Sequence, residues 1–179
     1  MNGSLASDWR TRAGAVRLLI LDVDGVLTDG TLYFGDHGEA LKAFNIRDGH
    51  GIKLLAEGGV ASAIITGRTS KAVEARAANL GIKHLIQGAE DKRTALATLL
   101  QRTGLSASDC AAIGDDVLDL PILTRVAFAA TVPEAPLIVR EHVHYVTQTP
   151  GGRGAVRELA ELILSGQGKL TGLVNRYLT

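Results

Sequence analysis

The run Leu18-Leu19-Ile20-Leu21-Asp22-Val23-Asp24-Gly25-Val26-Leu27-Thr28-Asp29-Gly30 constrains this chain more than any other stretch. Residues 17–23 are leucine-rich and β-branched without alternation, which predicts a strand buried on both faces, inside a parallel sheet. That strand ends in two acids one residue apart, then glycine and a second turn. An ionised carboxylate at the mouth of a buried strand must be paired, hydrogen-bonded or bound to a metal. The fold must therefore bring a compensating group to Asp22 and Asp24.

The remainder alternates short apolar strands with helical patterns. Residues 60–66, 84–87, 110–113, 126–130 and 144–146 read as strands. Helices are expected over residues 50–57 (capped by Asp48), 70–80, 91–102, 133–139 and 155–164, with a short one around Leu118 and Leu120. Gly58, Gly81 and Gly104 supply helix stops. Residues 31–34 and 40–44 flank Gly35-Asp36-His37-Gly38, which predicts a β-hairpin with a four-residue turn. This order predicts an α/β, Rossmann-like three-layer sandwich with a central parallel sheet. The hairpin is an insertion after the first strand, and nothing is long enough for a cap domain. Residues 1–14 read as a flexible N-terminal extension or a short helix around Trp9, and residues 15–179 as one domain.

Composition narrows the function classes. The chain has 179 residues, with 19 Lys and Arg against 19 Asp and Glu. Zero formal net charge gives no reason to expect nucleic acid or an anionic membrane as partner. Cys110 is the single cysteine, which suits a reducing compartment. Neither a signal peptide nor a membrane span is evident, so a soluble cytoplasmic protein is expected. The five histidines show no zinc-like spacing with cysteine, His142 and His144 included.

Polar signals follow the predicted strands one by one. Asp22 and Asp24 follow the first, Thr66-Gly67-Arg68 the second, Lys92 the third and Gly114-Asp115-Asp116 the fourth. Ligands of open parallel sheets bind at the carboxyl edge, so these groups should converge on one crevice. Their types match phosphoryl transfer. Mg²⁺ prefers oxygen ligands, and Asp22 and Asp115 can supply carboxylates. Asp22 is then the candidate nucleophile, forming an aspartyl phosphate. Asp24 is placed to protonate the leaving alkoxide and later to take a proton from water. Thr66 and nearby N–H groups could hold the transferring oxygens while Lys92 adds positive charge. Asp116 and Asp119 could orient Asp115 from behind. Each signal alone also has a plain reading, as turn, loop, helix cap or surface lysine; their ordered recurrence favours chemistry.

With these residues in hand, the chain resembles the haloacid-dehalogenase-like phosphatases. Their four motifs match Asp22-Val23-Asp24-Gly25, Thr66-Gly67, Lys92 and Gly114-Asp115-Asp116. It looks most similar to the capless branch that hydrolyses 3-deoxy-D-manno-octulosonate 8-phosphate. Asp22 to Gly30, Phe44-Asn-Ile-Arg-Asp-Gly49 and Gly151-Gly-Arg-Gly-Ala-Val-Arg-Glu158 carry that narrower likeness.

The resemblance implies a Mg²⁺ site from Asp22, Asp115 and the Asp24 backbone carbonyl. It implies a substrate surface from Asp24, Asn45, Ile46, Arg47, Asp48, Gly49, Lys53, Gly67, Arg68, Arg76 and Lys92. Arginine forks suit the phosphate and carboxylate of such a substrate. Similar enzymes acting on nine-carbon sugar acids often carry Glu after Thr-Gly, whereas the eight-carbon branch carries Arg, as at Arg68 here. The branch also implies a role in lipopolysaccharide biosynthesis and a homotetramer with hairpins gathered at its centre, where Arg76 could serve a neighbour's site. The glycine-rich residues 151–154 read either as a segment that moves over the crevice or as a plain turn. Two alternatives stand beside this reading: a phosphatase for a nine-carbon sugar acid phosphate, and an inactive oligomerisation module related to domains fused to sugar-nucleotide synthetases.

Overall fold

The computed structural model describes residues 8–178. Its centre is the strand foreseen at the opening run, β1 (Leu18–Leu21), every residue of which is buried. Burying each such side chain is worth about 1.5–3 kcal/mol, enough for the strand to carry charged residues at its end. β1 pairs in parallel with β4 (Ala61–Ile65) on one side and β6 (Cys110–Ile113) on the other. Outside these lie β5 (His84–Ile86), β7 (Phe128–Thr131) and β8 (Tyr145–Val146), giving the order β5-β4-β1-β6-β7-β8. The chain steps outward from β1 to β4 and β5, then returns to β6 on the other flank. The junction of β1 and β6 is therefore the topological switch point, where such sheets open a crevice.

Helix α1 (Asp8–Gly14), α2 (Ile46–Glu57) and α7 (Ala155–Gly166) pack together, with α3 (Lys71–Leu80) beside α2. Right-handed crossovers put α4 (Lys92–Thr103) and α5 (Leu120–Leu123) on the opposite face. Helix α7 buries Ala155, Val156, Leu159, Ala160, Ile163 and Leu164, a stripe at helical spacing. A brief α6 (Leu137–Arg140) leads to β8, and a short α8 (Leu170–Asn175), not foreseen from the sequence, follows α7.

Several expectations need correction. Of the two readings of the N-terminal segment, flexible extension or short helix around Trp9, residues 8–14 take the second: they form α1, with Ala13 fully buried, while residues 1–7 lie outside the described residues. The hairpin turn is tighter than four residues. In β2 (Tyr33–Gly35) and β3 (Gly38–Leu41), Gly35 pairs with Gly38, so only Asp36 and His37 connect the strands. Asp48 does not cap α2. Asn45 does, its side chain accepting from the Arg47 N–H at 2.8 Å, so the helix starts a turn earlier than expected. The helix expected over residues 133–139 is confined to α6.

Candidate active site

The turn after β1 is set by one carbonyl. Val23 O accepts from the N–H groups of Val26, Leu27 and Thr28 at 3.2, 2.9 and 3.0 Å. No described residue donates to the Asp24 carbonyl next to it. Gly25 sits at φ +88°, and a Cβ there would lie 2.1 Å from Asp115 Oδ2. Only glycine lets the first loop come this close to the loop after β6.

The loop after β6 and the start of α4 meet Asp22 from two directions. Lys92, the first residue of α4, is almost fully buried and its Nζ donates to Asp22 Oδ1 at 2.9 Å. The same ammonium donates to Asp119 Oδ1 at 2.5 Å. Asp119 Oδ2 accepts from the N–H groups of Asp115 and Asp116 at 3.0 and 3.2 Å. Both oxygens of Asp119 are thus taken, whereas no described residue donates a hydrogen bond to the Asp115 carboxylate. Thr131 ties the loop down from β7, donating to Gly114 O at 2.6 Å.

Charge is unbalanced here. Carboxylate oxygens of Asp22, Asp115 and Asp119 can lie within 4.8 Å of one another. Burial, then the charge of Asp119, pushes the Asp22 carboxyl up to about 6 despite Lys92. Burial, then Asp22, Asp119 and Asp116, pushes Asp115 up to about 7. Burial alone would lower the Lys92 pKa, but Asp22 and Asp119 outweigh it and the pKa is raised. One cation faces three acids, so the ammonium is held firmly while the carboxyls still repel. This donor set fits a divalent cation: the oxygens left over are those of Asp22, Asp115 and the Asp24 carbonyl, all hard ligands.

A cleft of about 560 Å³ opens above these groups. Asp22, Asp24, Thr66, Gly67, Arg68, Lys92, Asp115, Asp116 and Asp119 all border it, together with Gly30, Ala89, Glu90 and Leu118. Thr66 is buried at the end of β4, its carbonyl accepting from Ala89 N at 3.0 Å. The motif residues converge as their order along the chain foretold.

A sequence profile of haloacid dehalogenase-like hydrolases matches residues 84–159. Over 168 residues the chain is 46% identical to the 3-deoxy-D-manno-octulosonate 8-phosphate phosphatase KdsC of Escherichia coli K12, covering 94% of this chain and 89% of that protein. This chain belongs to the haloacid dehalogenase-like phosphatases, in the same family as KdsC. The crystal structure of the Yersinia pestis 3-deoxy-D-manno-octulosonate 8-phosphate phosphatase has 48% identity and a TM-score of 0.90, covering 93% of this chain and 90% of that one. The Moraxella catarrhalis phosphatase, in complex with magnesium, phosphate and KDO, has 40% identity and a TM-score of 0.92, covering 95% and 98%.

The other residues that the family likeness assigned to substrate do not border the cleft within one chain. Ile46, Gly49, Lys53 and Arg76 line a separate groove with His50 and Tyr177. Arg76 donates to Asn45 O at 3.2 Å and lies over the Phe44 ring. Arg47 borders a third depression beside Arg153 and Arg157. Asp48 is buried, its oxygens accepting from Gly154 N at 3.2 Å and Arg157 N at 2.9 Å. Asn45, besides capping α2, donates to Gly152 O at 3.3 Å. Asn45, Arg47 and Asp48 are thus occupied in holding residues 151–154 in place. That segment is a brace in this structure: Gly152 N donates to Val26 O at 2.8 Å, and a Cβ on Gly151 would lie 1.8 Å from Gly25 O.

Sequence reasoning missed Lys42 and Glu39. Lys42 Nζ is paired with Asp24 Oδ1 and lies 3.1 Å from Glu39. Nothing in the local spacing marks a lysine next to β3 as facing inward, because its partner is distant in sequence.

The raised carboxyls fix a pH dependence. Both acids keep a proton longer in the folded chain than their ordinary value of 3.8 allows. Their contribution to stability is full below that value and is lost as pH rises through about 6 and 7. Carboxylates held low, such as Asp29 and Glu158, titrate below this window. Metal-free protein is therefore expected to melt at lower temperature as pH rises from about 5 to about 8. Magnesium should raise the melting temperature more at the higher pH, where it meets no competing proton. Melting curves in chelator and in Mg²⁺ at both pH values check this; an increment independent of pH contradicts it.

Proposed function

We propose that this chain is a Mg²⁺-dependent phosphatase converting 3-deoxy-D-manno-octulosonate 8-phosphate to the free sugar acid and inorganic phosphate, in lipopolysaccharide biosynthesis. The observation that carries this reading is the convergence of Asp22, Asp24, Thr66, Lys92 and Asp115 on one cleft with Arg68 beside them. The 46% identity to KdsC, over a stretch covering 94% of the chain, supports the substrate assignment.

Asp22 is the nucleophile, attacking phosphorus to form an aspartyl phosphate. Asp24 gives a proton to the leaving alkoxide, then takes one from the water that cleaves the intermediate. Thr66 Oγ1 holds a transferring oxygen, and Lys92 offsets the charge that builds on the phosphoryl group. Asp119 acts through Lys92 and through the N–H groups of Asp115 and Asp116, holding both in register. Asp22, Asp115 and the Asp24 carbonyl would hold Mg²⁺, which when bound neutralises phosphate charge and lets an anionic nucleophile approach. Arg68 receives the anionic sugar acid.

The enzyme is proposed to be cytoplasmic and homotetrameric. Among the described residues no helix is long and apolar enough to cross a membrane. The hairpin leaves Leu32, Tyr33, Phe34 and Leu41 exposed, an apolar surface suited to a second copy. In that assembly Ile46, Lys53 and Arg76 would face a neighbour's cleft. Asp48, committed to the brace, would not.

Phosphate release across a panel of sugar phosphates in Mg²⁺ tests the reading. The eight-carbon acid phosphate should show the highest kcat/KM, above nine-carbon acids and simple hexose phosphates. Preference for a nine-carbon acid would move the assignment to that substrate, and no preference over hexose phosphates would remove the sugar-acid assignment.

A further inference from the structure

The hairpin reaches the cleft through a closed ring of alternating charge. Lys42 pairs with Asp24 Oδ1 and with Glu39 Oε2, the latter at 3.1 Å. Glu39 Oε2 lies 3.4 Å from Arg68 Nη2, and Arg68 Nε lies 3.7 Å from Asp24 Oδ2. Ser70 Oγ donates to the other Glu39 oxygen at 2.6 Å, and Phe34 of β2 lies beneath the Arg68 guanidinium. The Lys42 side chain is only 2% exposed. That is unusual on an element whose first strand is exposed at every residue. Ordering and burying an ammonium costs conformational entropy and hydration, and a surface hairpin has no folding need for it.

We infer that Lys42 and Glu39 are positioning residues, Lys42 fixing the Asp24 carboxylate and Glu39 fixing the Arg68 guanidinium. The hairpin thereby registers the proton carrier against the substrate-facing cation. The inference rests on the reading of Asp24 as general acid. Lys42 holds Oδ1, while Arg68 at 3.7 Å makes no hydrogen bond to Oδ2, so the held carboxyl keeps one oxygen free to carry a proton. Proton transfer to a leaving oxygen needs that hold, because the two heavy atoms must come within hydrogen-bond reach.

A plain structural role, a staple holding the hairpin to the body, makes a different prediction. A staple would affect all substrates alike. A positioning role depends on how much the leaving group needs a proton. The test compares kcat/KM for 3-deoxy-D-manno-octulosonate 8-phosphate, an alkyl ester, with that for p-nitrophenyl phosphate, whose leaving group needs little protonation. For Lys42→Met the alkyl ester should lose about tenfold to a hundredfold and the aryl ester no more than about threefold. Lys42→Arg, which keeps the cation, should restore most of the loss. Glu39→Gln should raise KM for the sugar acid phosphate with a smaller change in kcat, and leave KM for the aryl ester unchanged. Equal losses on both esters, without rescue by arginine, would overturn the inference and leave a staple. Asp24→Asn is the control for the underlying reading: it must show the same alkyl-selective loss, and its failure to do so would remove the acid assignment itself, whatever Lys42→Met does.

Discussion

Asp22→Asn is expected to abolish turnover while leaving the fold intact and no less stable. The amide is isosteric and can still accept from Lys92, so the contact made by the carboxylate at 2.9 Å has a neutral substitute. It cannot attack phosphorus, and losing a nucleophile costs about four orders of magnitude or more. Stability moves the other way. The Asp22 carboxyl is pushed up to about 6, so above that pH its ionised form opposes folding. Replacing it with a neutral group should raise the melting temperature of metal-free protein at pH 7.5, an activity–stability trade-off of the ordinary kind. Phosphate release and thermal melts of the two proteins check both halves. Wild-type turnover in the variant would dismiss Asp22 as nucleophile.

Lys92→Met is expected to damage both activity and folding. Losing a preorganised positive group at the transferring oxygens costs about two to three orders of magnitude in kcat. The variant also leaves Asp22 and Asp119 without the one ammonium they share. Breaking a buried ion pair by removing one partner destabilises by about 3–5 kcal/mol. Here the sign of the pH effect is distinctive. As pH falls the stranded Asp22 carboxyl takes up a proton and its repulsion with its neighbours ends, so the stability gap to wild type should narrow from pH 8 to pH 5. Mg²⁺ should narrow it as well at pH 8. Chemical denaturation at the two pH values measures the gap, and a gap that widens in acid would contradict this account.

Much of the molecule was legible because its signals are local. The apolar run of β1, the glycines after α3 and α4, and the polar residues after β1, β4, β5 and β6 all lie within a few residues of the feature they mark. Parallel topology then brings the strand ends together without further information. Legibility failed where a partner is distant. Asp48 looks like a helix cap beside the following helix, but its carboxylate is claimed by Gly154 and Arg157. Lys42 looks like any strand-edge lysine until the fold sets it against Asp24. The substrate surface was only half legible for another reason. Arg68 borders the cleft of its own chain, whereas Ile46, Lys53 and Arg76 lie in a different groove. In the proposed assembly these residues would act on a second copy, which motifs within one sequence do not name.

The brace formed by residues 151–154 has a consequence for biosynthesis. The loop that carries Asp22 and Asp24 leaves the ribosome early, but Gly151 and Gly152, which back it, are translated near the end. At roughly 5–20 residues per second the first loop waits several seconds for its support. During that interval its acids lack Asp48's anchored strap behind them and, until residue 92 emerges, their lysine in front. For that interval the nascent chain carries Asp22 and Asp24 on a loop whose backing strap has not yet been made.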